Sequence, residues 1–144
     1  MTEIMNLYHS FWNNIVPHKS VFSDFLLAFP EGNVPLELFD GTRNVPLQPP
    51  YITYTLSDTA FFGGTLETAR IWTRSKNILQ VSGFTDYVKA AIPHGGIVLS
   101  LPDNKGSLYI RRPTPPTKFC QLQPMDESDI KVMYITLEVE NYIY

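Results

Sequence analysis

The spacing of apolar and polar positions divides the chain into a helical start, an irregular arm and a longer part rich in strands. Near the start, Ile4, Leu7, Tyr8, Phe11 and Ile15 recur at three- and four-residue intervals and share one helical face. Thr2 suits the N-cap and Glu3 the positive end of the helix dipole. Pro17 ends this helix, because the residue before a proline is pushed out of helical geometry. Ser20 to Ala28 is apolar without a clear period, and a short helix is expected there. From Pro30 to Pro50, five prolines, Gly32 and the turn pair Asp40-Gly41 interrupt regular structure. The expectation is an ordered, extended arm with Pro35 to Phe39 as an edge strand, anchored by Leu36, Leu38 and Phe39.

After Pro50 the character changes. Tyr51 to Leu56 is aromatic and β-branched, as strands prefer, and Thr65 to Arg74 is a second strand. The connection between them carries Phe61-Phe62 directly before Gly63-Gly64. Asn77 to Ile92 reads as a helix, with Asn77 as cap, Gln80 at the capping-box position and a stripe of Val81, Phe84, Val88 and Ile92. Pro93 and Gly95-Gly96 stop it. Ile97 to Leu101 and Leu108 to Arg112 form a hairpin around Pro102 to Gly106. In Ile130 to Tyr142, Met133, Ile135, Leu137 and Val139 face one way, and Tyr134, Thr136, Glu138 and Glu140 the other. The predicted class is α+β: a mainly antiparallel β-sheet with helices packed on one face. A single domain spans 1–144, with an N-terminal helix at 1–16, the arm at 30–50, and a sheet at 51–142 that includes the helix at 77–92.

Composition narrows the function. The 144 residues are 44% hydrophobic and 17% charged, enough to build a core. Eleven Lys and Arg against fourteen Asp and Glu give a net charge of -3, which argues against a general nucleic-acid binder. The single Cys120 excludes an intramolecular disulfide and a Cys-rich zinc site. No run approaches the ~20 apolar residues of a membrane span. The first residues lack the basic start and apolar run of a signal peptide, so a soluble cytosolic product with no membrane partner is expected.

Catalytic constellations are sparse. The glycine pairs lack a phosphate-loop pattern, and there is no Gly-x-Ser-x-Gly elbow. His9, His18 and His94 have no metal-ligand spacing, and each reads as an ordinary histidine. Cys120, in a proline-rich loop, reads as a small buried hydrophobe rather than a nucleophile. Asp126, Glu127 and Asp129 lack the alternating ligands and central glycine of a calcium loop and read as a solvated turn. No catalytic residue, metal or cofactor is expected.

Two features suggest contact surfaces instead. Arg70 and Arg74 share a strand face with Trp72 between them, Lys76 follows, and Arg111-Arg112 end another strand. This is either a basic ridge for an acidic partner or nearby nucleic acid, or an edge whose charges deter aggregation. Phe61 and Phe62 either mark a protein interface or fold back into the core.

The order of these segments resembles a known group. It runs through Pro50-Tyr51-Ile52-Thr53-Tyr54, Phe61-Phe62, and Ala69-Arg70-Ile71-Trp72-Thr73-Arg74-Ser75 into the second helix. Gly95-Gly96-Ile97-Val98-Leu99, Leu108-Tyr109-Ile110-Arg111-Arg112 and Ile130-Lys131-Val132-Met133-Tyr134-Ile135 follow. Over roughly residues 49–142 this is similar to the tail terminator, or tail-completion, proteins of long-tailed bacteriophages and prophages.

The resemblance implies a non-enzymatic virion protein, assembled in the host cytoplasm and resident at the neck. It implies a six-fold ring of identical subunits that caps the tail tube, ends its polymerisation and meets the head connector, with genomic DNA only passing through the channel. Phe61 and Phe62 would then contact a neighbouring subunit or the tube. Arg70, Arg74 and Arg112 would meet acidic groups such as Glu138 and Glu140 across an interface, or line the channel. Two alternatives stay open: a head-tail connector of stopper or adaptor type, and a small cytosolic ligand-binding domain or enzyme.

Overall fold

A computed structural model describes residues 2–15, 27–39, 41–47, 49–56, 65–123 and 129–143. Helix α1 (Thr2–Ser10) opens the chain and widens into a π-type turn, Phe11–Ile15. Strands β1 (Ala28–Pro30), β2 (Glu37–Phe39), β3 (Asn44–Pro46), β4 (Tyr51–Tyr54) and β5 (Thr65–Arg74) follow. A 3-10 turn, Ser75–Asn77, leads into helix α2 (Ile78–Ala91). The chain then runs through β6 (Ile97–Ser100), β7 (Gly106–Arg111), β8 (Cys120–Leu122) and β9 (Ile130–Ile143).

The fold is α+β, with a curled, mostly antiparallel sheet and two helices. Its strand order is β1-β4-β5-β9-β7-β6, with β8 also paired to β9. Strand β9 is the spine. At 14 residues it is roughly 46 Å long, long enough to hold β5 along one side and both β7 and β8 along the other. Among the described strands only β1 is parallel to its neighbour, β4. Helix α1 lies against both β1 and β7, which stand four strands apart, so the sheet must curl around it.

The period of two in the long strands sets what fills the core. Ala69, Ile71, Leu108, Ile110, Ile135, Leu137 and Val139 point inward and are fully buried. They meet Val81, Phe84, Val88 and Ile92, the stripe expected for α2. From α1 come Ile4 and Tyr8, and from the π-type turn Phe11 together with Trp12, which the helical spacing does not select. Phe11 and Trp12 are consecutive, yet both are fully buried, in edge-to-face contact at 5.1 Å inside the π-type turn.

Several expectations need correction. The helix expected over Ser20 to Ala28 falls mostly outside the described residues, and Ala28 itself is extended in β1. Its backbone is held there by the Asn13 side chain, while Ile52 N–H donates to the Leu27 carbonyl. The arm contains a small hairpin, β2–β3, that forms a separate two-stranded sheet. Leu36 and Phe39 do not anchor it, since they are 89% and 70% exposed. Asn77 closes the 3-10 turn that leads directly into α2. Strand β8 was not expected, because three residues between prolines carry too little periodicity to register.

Candidate interaction face

Both helices pack on the core side of the sheet, and among the described residues no helix covers the other face. The register places Phe29, Tyr51, Thr53, Arg70, Trp72, Arg74, Tyr109, Arg111, Tyr134, Glu138 and Glu140 on this outer face. Trp72 stacks on Tyr51 with ring centroids 6.3 Å apart and donates from Nε1 to Thr53 Oγ1 at 3.0 Å. Phe29 meets Tyr51 edge-on. Arg70 lies over the Tyr134 ring at 5.3 Å, and Arg111 over Tyr109 at 5.1 Å. Leu66, Val98 and Tyr142, on the same face, are 56%, 61% and 44% exposed.

Charges on this face are matched within the chain. Arg70 pairs with Glu31, and Arg74 with Asp129 at 2.9 Å. Arg111 reaches both Glu138 and Glu140 through Nη2, at 2.6 Å each. Three guanidiniums therefore face four carboxylates. Arg70, Arg74 and Arg111 thus form no unbalanced basic ridge. Within the chain, Glu138 and Glu140 pair with Arg111, and Glu140 also accepts from the Tyr142 hydroxyl. Hydrogen bonds from the Tyr142 hydroxyl and then from Arg111 hold the Glu140 carboxyl below the usual range, and Glu138 followed by Glu140 keeps Arg111 firmly charged.

Arg112 belongs to the opposite side. Its Nε donates to the Ile92 carbonyl at 2.7 Å and Nη2 to the Lys89 carbonyl at 2.7 Å, and its guanidinium lies over Phe119 at 5.1 Å. It satisfies carbonyls at the C-terminal end of α2, where a cation also complements the helix dipole.

Phe61 and Phe62 lie outside the described residues, as do His18, Asp126 and Glu127. His9 Nδ1 is 2.5 Å from the hydroxyl of Tyr54, whose burial pushes its ionisation up to about 12. His94 lies 3.4 Å from Arg112 Nη1. Burial pushes the Cys120 thiol up to about 11, against Lys89 and Arg112, so at neutral pH it is protonated. Among the described residues no group of three or more His, Cys, Asp or Glu is placed to hold a metal ion. No helix among them is long and apolar enough to cross a membrane.

The sequence reading missed Glu67, which is 2% exposed on the core side of β5. Its carboxylate accepts from Thr55 Oγ1 at 2.8 Å and Thr65 Oγ1 at 3.2 Å. The signal was present: Glu67 shares parity with Ala69 and Ile71, so alternation alone sends it inward. Comparison with protein-family models, with curated proteins and with solved structures finds no match to this chain.

Proposed function

We propose that the chain is a structural subunit of a bacteriophage neck: a tail terminator that closes into a ring on the tail tube, ends its growth and meets the head connector. The observation that supports this reading is the outer face of the sheet, which no helix covers among the described residues and on which Leu66, Val98 and Tyr142 stand exposed. The segments that resemble tail terminators supply β4, β5, α2, β6, β7 and β9, which form most of the sheet with α2 on its core side. This face combines aromatic rings, exposed Leu66 and Val98, and charges already matched. Aromatic residues and arginine are enriched at protein interfaces, and charge left unbalanced there is costly. A ring needs two different patches on each copy, joined by a rotation that closes.

Native mass spectrometry over a range of concentrations, with electron microscopy of tail tubes purified without heads, tests the reading. A species of six 16.4 kDa chains, about 98 kDa, and tubes capped by it are expected. A monomer at every concentration that also leaves the tubes uncapped would falsify it.

A further inference from the structure

Among the described residues, the outer sides of β1 and β3 are blocked, and those of β6 and β2 are open. The outer side of β1 is occupied by Asn13, whose side chain bonds both the N–H and the carbonyl of Ala28. The outer side of β3 is blunted by Pro46, which has no N–H to offer. Strand β6 is the last strand of the main sheet, and among the described residues nothing pairs with its outer side. Among the described residues strand β2 pairs with β3 alone. Neither β6 nor β2 contains a proline.

The hydrogen-bond parity of these two open edges matches. Leu101 N–H donates to the Gly106 carbonyl, so Leu101, Leu99 and Ile97 bond inward to β7, while Val98 and Ser100 direct their backbone groups outward. Leu47 N–H donates to the Leu36 carbonyl, so Leu36 and Leu38 bond inward to β3, while Glu37 and Phe39 direct theirs outward. An antiparallel pairing of Phe39 with Val98 and Glu37 with Ser100 therefore brings two outward-bonding residues together at each position. Each such pair exchanges two main-chain hydrogen bonds.

The side chains fit the same register. Phe39, 70% exposed, falls beside Val98, 61% exposed, on one face, an aromatic and β-branched cross-strand pair. Leu38 falls beside Leu99 on the other face. Glu37 faces Ser100, whose hydroxyl can donate to the carboxylate. A hairpin of three-residue strands is marginal by itself, so a strand added to its edge supplies what it lacks.

We propose that β2 of one copy adds to β6 of the next copy as an antiparallel strand, with Phe39 opposite Val98, so that the β2–β3 hairpin is the arm joining neighbours. This rests on the ring reading, because the donor and acceptor edges differ and the contact is heterologous.

The test is a disulfide between copies. Phe39→Cys and Val98→Cys are made in separate chains, each with Cys120→Ser, then mixed and oxidised. Hydrogen-bonded antiparallel partners stand about 5.5 Å apart at Cα, within disulfide reach. The expected product is a reductant-sensitive species of two chains, about 33 kDa. A chain carrying both cysteines gives an intermolecular ladder. Val98→Pro, which removes an outward N–H and leaves the bonds to β7 in place, keeps the fold by circular dichroism and loses assembly.

An oligomer of unchanged native mass with no cross-link overturns the strand pairing and leaves the ring reading standing. A cross-link confined within single chains means the hairpin closes on its own edge, and also overturns it. Absence of any oligomer, in solution and on tubes, defeats both ideas together.

Discussion

Arg112 Nε donates to the Ile92 carbonyl at 2.7 Å, joining the exit of β7 to the end of α2. With its second bond to Lys89, this side chain does for the helix C-terminus what a glycine motif usually does. Arg112→Met keeps the apolar stem and removes the charged fork. The expected loss is about 1–2 kcal/mol, read as a lower Tm. Amide exchange should quicken in the last turn of α2. Unchanged exchange there would show that the cap contributes nothing.

Glu140 gives a pH dependence with a definite sign. Its carboxyl is held below 4.5 by the Tyr142 hydroxyl and by Arg111, so the native state binds its proton more weakly than the unfolded chain does. Its stabilising contribution is complete above pH 4.5 and is lost as pH falls through the lower folded value. Glu140→Gln should cost about 1 kcal/mol or less at pH 7. Urea titrations of both proteins should converge on acidification, and a gap that widened in acid would contradict the assignment.

Cys120 should be slow. With its thiol pushed up to about 11, alkylation at pH 7.5 is expected to proceed far more slowly than in the urea-unfolded chain, and to accelerate as pH approaches 11. Mass spectrometry of iodoacetamide-treated protein measures both rates. Equal rates for folded and unfolded protein at pH 7.5 would mean that burial does not protect the thiol.

Two glycines separate backbone strain from crowding. Gly96 has φ +77°, and an added Cβ would meet the Ile110 carbonyl oxygen at 2.7 Å and Arg111 Cβ at 2.9 Å. Gly32 has φ +86° and open space around it. Gly32→Ala should cost about 1–2 kcal/mol, the left-handed penalty alone. Gly96→Ala adds overpacking and should cost about 2–5 kcal/mol in total. Denaturant midpoints decide, and equal costs would show that the loop before β6 yields freely.

Local pattern carried much of this protein. The stripe of Val81, Phe84, Val88 and Ile92, the alternation in β9 and the bounds of β5 were legible because each repeats one geometric period over many residues. From these the α+β class followed. Short elements were not legible: β1, β3 and β8 have three residues each, too few to establish a period, and they are extended because a neighbouring strand bonds them.

The candidate face divides in the same way. Sequence alone placed Arg70, Trp72 and Arg74 on one face of a strand, since side-chain direction depends only on parity. Which carboxylate each arginine meets was decided by the tertiary structure. Glu31 lies 39 residues from Arg70 and Asp129 lies 55 from Arg74, and only the order of strands brings them into reach. The exposure of Leu36 and Phe39 was likewise beyond the sequence, because an apolar side chain is buried only if another element arrives to cover it. Periodicity is a property of a segment, and charge pairing and burial are properties of the assembled sheet.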